Sequence, residues 1–513
     1  MRLLSLTILI AASVGFCAAP ASAQNDAQAL LAKHRAFAGW QSGDGTFKTL
    51  RLERDYTNAQ GVLTERSLER RIGVLYRTTN SYPKRANLTD ELGFTGNIFW
   101  RTDMNGFTNP IYGDLAKYRL SVTALLNEAI PSAGATQLPS ATEDGKAVSV
   151  VRVPILSAFP IDISIDPATG GFVKAVIDAG GDYENTFHIL SYAEPVPGKK
   201  IIGSYRIGDG RGTYTYTKIE PNADISSADL HPRSPTASWA FDNPKPFPIS
   251  LTNTRIIVHA KVNGTEGIFI LDTGAGEGII LNKPFADKVG ATDLHVHDQT
   301  LTLYDPTPID LRRVEKIDFG GSTLSNTIVQ SVDFNNAFAD RNYRGLDGKN
   351  YDGLIGYSLF AGAIVRLDPV AQTMTIADPA VFDPSGEKGL PVLVDLSANM
   401  PAVPMTVNDA IAVKAYFDSG DPDEVIFSPD LIFKYHLTFG TKAQGAIGGI
   451  GMIACGTLNK LTLGPIVYES VDACERKTDV MGGRNILVGL DFLRHFDITF
   501  DYPHGRLFLQ PVH

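Results

Sequence analysis

Cysteine is scarce in this chain, with three in 513 residues, and no histidine stands in a recognisable partner motif, so a catalytic thiol has little to be built from. A cationic excess is missing too. The 46 Lys and Arg against 56 Asp and Glu leave a formal charge of −10, which gives no general attraction for nucleic acid or anionic lipid. After the first two dozen residues no stretch stays apolar for the ~20 residues that a helical membrane span needs. The exclusions leave an ordinary acidic globular chain, 43% apolar and 20% charged, too long for one compact core.

The N-terminus reads as a secretory signal. Arg2 supplies the positive start, Leu3 to Phe16 an apolar stretch too short to span a membrane, and Ala21-Ser22-Ala23 a small-residue cleavage site. Phe16 before Cys17 is too bulky for the usual lipid-modification signal. Removal of residues 1–23 leaves Cys455 and Cys474. In an oxidising compartment this pair is read as a disulfide, with two buried free thiols as the alternative. The expected location is periplasmic or secreted.

Five segments follow from texture. After the signal, residues 24–230 are read as an α+β domain with a largely antiparallel sheet. Ala27 to Trp40 and Leu120 to Ala129 have helical spacing. Val148 to Val153 and Gly212 to Thr217 alternate as strands, and Gly170-Gly171 and Gly208-Asp209-Gly210 mark turns. Residues 231–248 hold Pro232, Pro235, Pro244, Pro246 and Pro248 and predict an extended connector. Residues 249–385 and 386–513 then look like two copies of one unit.

The copies can be matched by eye. Phe247-Pro248-Ile249 answers to Leu390-Pro391-Val392, and Val262-Asn263 to Val407-Asn408. Ile270-Leu271-Asp272-Thr273-Gly274 answers to Tyr416-Phe417-Asp418-Ser419-Gly420. Gly353-Leu354-Ile355-Gly356 answers to Ile486-Leu487-Val488-Gly489, and each is followed by a final strand, Leu367-Asp368 onward and Phe500-Asp501 onward. A tandem duplication of this kind predicts a mainly β fold of two lobes about a pseudo-twofold axis.

Each repeat places an aspartate at the end of an apolar run, so a strand can carry it into a buried site. The hydroxyl of Thr273 or Ser419 can bond backbone across the axis, and Gly274 and Gly420 let the loops approach with no Cβ between them. Two such carboxyls within hydrogen-bond reach repel each other's charge and share one proton. One then takes a proton from a water attacking a peptide carbonyl, while the other donates to the carbonyl oxygen. No metal, cofactor or covalent intermediate is needed. One Asp-Thr-Gly alone reads as a surface turn; two in matching repeats are far more specific.

The constellation resembles the retropepsin-like aspartic peptidases, in particular bacterial single-chain proteins with two lobes, over about residues 245 to 513. The resemblance implies Asp272 and Asp418 as the catalytic pair and a polypeptide as substrate. It implies a glycine-rich flap at Gly445 to Gly451, with Gly448, Gly449 and Gly451 at its tip. Two departures stand out. Leu294 to Tyr304 has no glycine cluster where the first lobe would carry one, and Asp418-Ser419-Gly420 continues into Asp421-Pro422-Asp423. Those extra acids either raise the Asp418 pKa or face solvent.

Gly93 to Arg101, with Asp103-Met104-Asn105-Gly106, resembles a segment of periplasmic lipoprotein-carrier proteins. That likeness implies a curved sheet clasping helices and a hydrophobic ligand in the N-terminal domain. His295-Val296-His297 would share one face of a strand, but nothing completes a metal set, so no metal site is assigned. Asp368 and Asp501 are read as turn residues. Two functions compete: an aspartic endopeptidase, and an envelope protein that binds peptide or lipoprotein with weak catalysis or none. The presence of both aspartates, both hydroxyls and both glycines favours the first.

Overall fold

Strand-like alternation dominates the first 220 residues and builds one sheet. The computed structural model describes residues 21–85, 88–179, 185–210, 212–242, 244–301, 306–334, 351–437, 442–444, 453–475 and 485–512. Among these, thirteen antiparallel strands form the N-terminal sheet. Strand Thr49–Thr57 lies in the middle, and successive hairpin steps carry the chain to Thr108–Ile111 at one edge. Helix Gly113–Leu126 crosses to the opposite edge at Thr136–Glu143. The later strands walk back until Thr213–Pro221 pairs with Thr49–Thr57 and closes the path.

That crossing helix buries Leu115, Tyr118 and Leu125 in one core with Val151, Ile163, Phe187 and Tyr205. It starts earlier than Leu120 because Gly113 and Asp114 carry no apolar signal, although Asp114 suits the positive end of a helix. It ends at Leu126, and Glu128 stands at φ 50°. The first helix is Ala21–Ala38. His34 fastens it, with Nδ1 2.9 Å from the Gly170 carbonyl and Nε2 2.8 Å from Glu128, its ring stacked on Phe172.

The remainder is mainly β, as the repeat predicts. In the first half the strand order is Ile256–Val262, Thr265–Leu271, Gly353–Ile355, Ile279–Asn282, Ser322–Val332. In the second it is Ala402–Val407, Ile411–Asp418, Asn485–Gly489, Val425–Phe427, Ile466–Glu475. The two orders match step for step, including the parallel pairings of the second strand with the third and of the fourth with the fifth. Asn263 and Asn408 turn the matching first hairpins at φ 48° and 49°, a conformation asparagine tolerates.

A third sheet joins the halves. Val365, Arg366 and Leu367 pair antiparallel with Phe500, Thr499 and Ile498. On either side lie Thr373–Ala377 with Phe247–Pro248, and Arg506–Pro511 with Leu390–Leu393. One continuous core, from Ile256 through Phe360 and Phe417 to Leu509, runs under both halves. The proline-rich stretch is extended, and parts of it enter these sheets. Ser238–Phe241 pairs with Ser322 to Ser325, and Phe247 and Pro248 pair with Met374 and Thr373.

The N-terminal sheet docks through its edge hairpin, with Asn105 and Asn109 on the first half and Arg101 on the second. Asn105 is fully buried there. It accepts from the Ile328 N–H at 2.7 Å, and its Nδ2 donates to the Ile328 carbonyl at 3.2 Å and to Ser358 Oγ at 3.3 Å. Asn109, also buried, accepts from Tyr357 Oη at 2.6 Å and donates to the Ala361 carbonyl at 3.1 Å. Arg101 donates to the carbonyls of Leu396 and Ser397 at 2.6 and 3.0 Å and to Asn399. Asn105→Ala would strand buried backbone groups of Ile328. We expect a loss of about 2–3 kcal/mol in urea unfolding, since each unsatisfied buried group costs roughly 1–3 kcal/mol. Wild-type stability in this variant would mean that the docking is not tight.

Candidate active site

Asp272 follows strand Thr265–Leu271, and Asp418 ends strand Ile411–Asp418. Behind each runs a parallel strand: Leu271 registers with Ile355, and Asp418 with Gly489. A Cβ on Gly356 would collide with the Ala275 carbonyl, and one on Gly489 with the Asp423 carbonyl. Only glycine lets these strands pass so close beneath the loops.

The loops meet face to face. Thr273 Oγ1 donates to the Phe417 carbonyl at 2.8 Å and accepts from the Ser419 N–H at 2.9 Å. Ser419 Oγ donates to the Leu271 carbonyl at 2.9 Å and accepts from the Thr273 N–H at 3.0 Å. Each hydroxyl thus uses both capacities on the opposite loop. A Cβ on Gly274 would strike the Asp418 carboxyl, and one on Gly420 the Asp272 carboxyl. Each glycine therefore forms the floor under the other loop's acid.

The two buried carboxyls face each other across the loops, close enough for each to act on the other's titration. Burial pushes both pKa values up. For Asp418 the charges of Asp272 and Asp421 and the shared hydrogen bond add to burial, and its proton is held well above the usual range. For Asp272, burial is opposed by the hydrogen bond with Asp418, by the Arg255 guanidinium, and by the N–H groups of Gly274 and Ala275. Those two N–H groups donate to Asp272 Oδ1 at 2.9 and 3.1 Å, whereas Asp418 Oδ1 accepts from Gly420 at 2.9 Å. Both carboxyls are thus pushed toward the protonated form, Asp418 more strongly because Asp421 adds to the repulsion, and the pair titrates as one unit.

Asp421 does not face solvent. It is 6% exposed, donates its N–H to the Asp418 carbonyl at 3.1 Å and accepts from the Leu490 N–H at 2.7 Å. Arg255, equally buried, was not singled out by the sequence. A single arginine ahead of a strand carries no motif, and only the fold brings it toward Asp272.

Other sequence candidates fall elsewhere. Cys455 and Cys474 are opposite residues on paired strands, joined by a disulfide, with Cα atoms 4.0 Å apart. That separation is shorter than the usual 4.4–6.8 Å of a disulfide and than the roughly 4.5–5.5 Å of facing antiparallel residues. Gly448, Gly449 and Gly451 lie outside the described residues. The strands flanking that stretch, Lys442–Gln444 and Ile453–Leu463, pair antiparallel. In the first half, the matching place holds the arms of a hairpin, Thr292–Leu301 against Pro306–Phe319. His295 and His297 do not continue a plain alternation. His295 stands at φ 57° in a bulge, and His297 Nδ1 engages Asp310 at 2.7 Å. Asp368 and Asp501 make turn bonds, to the N–H groups of Val370 and Ala371 and of His504.

One cavity adjoins the first loop and a second lies within the N-terminal domain. One, of about 280 Å³, lies between the N-terminal sheet and the first loop, with Gly276 and Glu277 in its wall beside Tyr82, Asp103, Met104 and Arg119. The other, about 260 Å³, lies under the crossing helix. Arg54, Glu69 and Arg71 share its wall with Leu92, Val122 and Leu126.

Residues 258–359 match the sequence model of the aspartyl protease family. This segment contains the first Asp-Thr-Gly loop and the Gly356 strand, and it gives the region an aspartic-protease-type fold. Three solved structures are similar. One is a DUF1329 family protein from Desulfovibrio piger, 10% identical, covering 41% of this chain and 97% of that one, TM-score 0.30. A second is described as an outer membrane lipoprotein-sorting protein domain from Vibrio parahaemolyticus, 9% identical, covering 40% and 97%, TM-score 0.29. The third is a retropepsin-like aspartic protease from Rickettsia conorii, 16% identical, covering 23% and 88%, TM-score 0.19. No curated protein matches the sequence.

The crossed hydroxyls generate a stability prediction. Ser419→Ala removes the acceptor of the Thr273 N–H and the donor to the Leu271 carbonyl, both buried. A loss of about 2–3 kcal/mol is expected, and Thr273→Val added to it should cost less than its own single-mutant value, because the two share one network. Strict additivity in urea titrations would show that the two hydroxyls act independently.

Proposed function

We propose that this chain is an exported aspartic endopeptidase with two lobes related by a pseudo-twofold axis. The observation that carries this reading is the pair of facing buried carboxyls with raised pKa values, each floored by the other loop's glycine. In this reading Asp272, ionised, takes a proton from a water. That water attacks the peptide carbonyl carbon. Asp418 gives its proton to the carbonyl oxygen, forming a gem-diol. Collapse of the gem-diol sends a proton to the leaving nitrogen and restores the shared-proton pair. Residues 249–385 and 386–513 are the two lobes, and the substrate is a polypeptide.

Export rests on the Arg2 to Ala23 signal pattern and agrees with the Cys455–Cys474 disulfide. No helix among the described residues is long and apolar enough to cross a membrane. A hydrophobic ligand of the N-terminal sheet stays a separate proposal. Its cavity wall holds charged side chains as well as apolar ones, which suits an amphipathic occupant better than a purely apolar one.

Hydrolysis of a denatured protein by the mature chain tests the reading. Asp272→Asn and Asp418→Asn should each lower kcat/KM by at least about a hundredfold, the lower end of what a positioned acid or base supplies. The double variant should be little worse than either, since the pair acts as one unit. Folding should survive. A buried acid with a raised folded pKa stabilises only at low pH and loses that contribution as pH rises through the folded value, so Asp418→Asn should be at least as stable as wild type at neutral pH. Undiminished cleavage by Asp418→Asn would remove the second lobe from the mechanism.

The pH profile gives an independent check. Activity requires one proton on the pair, so it falls at high pH where Asp418 loses its proton. Asp421 beside Asp418 raises that upper limit. Asp421→Asn should shift the alkaline limb of kcat/KM toward lower pH and leave the acidic limb nearly in place. An alkaline limb that stays put would show that Asp421 does not act on the pair.

A further inference from the structure

The first catalytic loop does not end in solvent. Four and five positions beyond Asp272, counted along the sequence, Gly276 and Glu277 form part of a cavity wall whose other side is the N-terminal sheet. At about 280 Å³ the cavity falls near the lower end of the ~300–1,000 Å³ range of small-ligand sites. It can take a side chain or a short chain end, not a folded partner. The sheet is held against this wall by Asn105, Asn109 and Arg101, so the cavity has fixed sides.

Most charges in the wall are already matched. Glu91 takes Arg77 and Arg233, Arg85 pairs with Asp298, and Asp90 accepts from Tyr82 and Asn80. Arg119 is different. It comes from the crossing helix and lines both this cavity and the one under the helix. Its Nε is buried with no hydrogen-bond partner, and no carboxylate pairs with it among the described residues. A buried N–H left unmatched is costly, although the rest of the side chain is only half-buried. Its planar fork fits a carboxylate. The acids nearest the loop contribute differently. Glu277 is engaged by Gln330 Nε2 at 3.0 Å, and Asp103 Oδ2 is buried without a partner. Both can accept substrate N–H groups, and burial pushes the Asp103 carboxyl up to about 6.

We propose that the N-terminal sheet supplies one end of the substrate site: a polypeptide lying across Asp272 and Asp418 continues past Gly276 and Glu277 into the interdomain cavity, where a substrate carboxylate pairs with Arg119. This rests on the peptidase reading for the placement of the chain. The carboxylate comes either from an acidic side chain or from the C-terminus, and the two sources can be separated.

The experiment measures binding apart from catalysis. Full-length mature Asp272→Asn protein is mixed with four synthetic octapeptide libraries, with or without Asp and Glu, each ending in a free acid or an amide. Retained peptides are quantified by mass spectrometry. Carboxylate-bearing libraries should be retained at least about tenfold better than the uncharged amide library, the size of one hydrogen-bonded charge pair. Adding Arg119→Gln should abolish that preference and leave retention of the uncharged library unchanged, and Arg119→Lys should restore part of it. Loss on amidation assigns the C-terminus; loss on omission of Asp and Glu assigns a side chain. Equal retention of all four libraries, no retention of any, or a preference that survives Arg119→Gln in a protein with wild-type thermal unfolding overturns the proposal. Failure of the peptidase reading looks different: wild-type protein then cleaves none of the libraries, whatever it binds.

Discussion

Two carboxyls pressed together out of water cannot both be charged, and the architecture around Asp272 and Asp418 serves to hold them in that position. Left alone, such a pair would swing apart or admit water. The crossed bonds of Thr273 and Ser419 prevent it, because each hydroxyl is saturated by backbone from the opposite half. Separating the halves would strand four buried backbone groups, at roughly 1–3 kcal/mol each. The sheet shared by Ile364–Asp368 and Phe496–Asp501 ties the halves at their far side, and one hydrophobic core continues under both. Close approach of like charges is thus maintained by hydrogen bonds and burial remote from the charges themselves.

The same constraint explains what was legible in the sequence. Two aspartates that must meet need glycine beneath them and glycine in the strands behind them. Asp272-Thr273-Gly274, Asp418-Ser419-Gly420, Gly356 and Gly489 were therefore readable as spaced motifs. Asn263 and Asn408 were readable as a pair because a turn at positive φ narrows the choice of residue. The helix Gly113–Leu126 was displaced in the reading, since Gly113 and Asp114 belong to a helix start without apolar periodicity. Arg255, Asn105, Asn109 and Arg119 were not legible. Their importance arises from partners far away in the chain, such as Ile328 for Asn105 and Tyr357 for Asn109, and no local pattern announces such a partner.

One segment was legible but for a different reason from the one it displays. The run from Gly93 through Asp103-Met104-Asn105-Gly106 stood out as a likeness to carrier proteins. In the fold, Gly93 makes room for the Trp100 ring, and the turn after it presents Asn105 to the first half. Asp103 Oδ1 orders that turn by accepting from the N–H groups of Asn105 and Phe107, both at 2.9 Å. A conspicuous motif in the N-terminal sheet therefore forms the joint between the sheet and the first half, beside the Asp272 loop.

That joint breaks the symmetry that the duplication creates. Two equal halves would offer the pair equal surroundings and leave the shared proton undirected. Here Arg255 lowers the pKa of Asp272 and Asp421 raises that of Asp418, so the two carboxyls have unequal surroundings. The N-terminal sheet adds to the same bias. Its Asn105 and Asn109 reach Ser358 and Tyr357, which begin the short helix directly after Gly356, the glycine passing beneath the first loop. The sheet thus braces the first loop and shapes the cavity beside it. Arg494 does reach across from the second half, but to the Thr252 carbonyl near the start of the first. The two halves share one strand order, and Arg255, Asp421 and the docked sheet make their surroundings unequal.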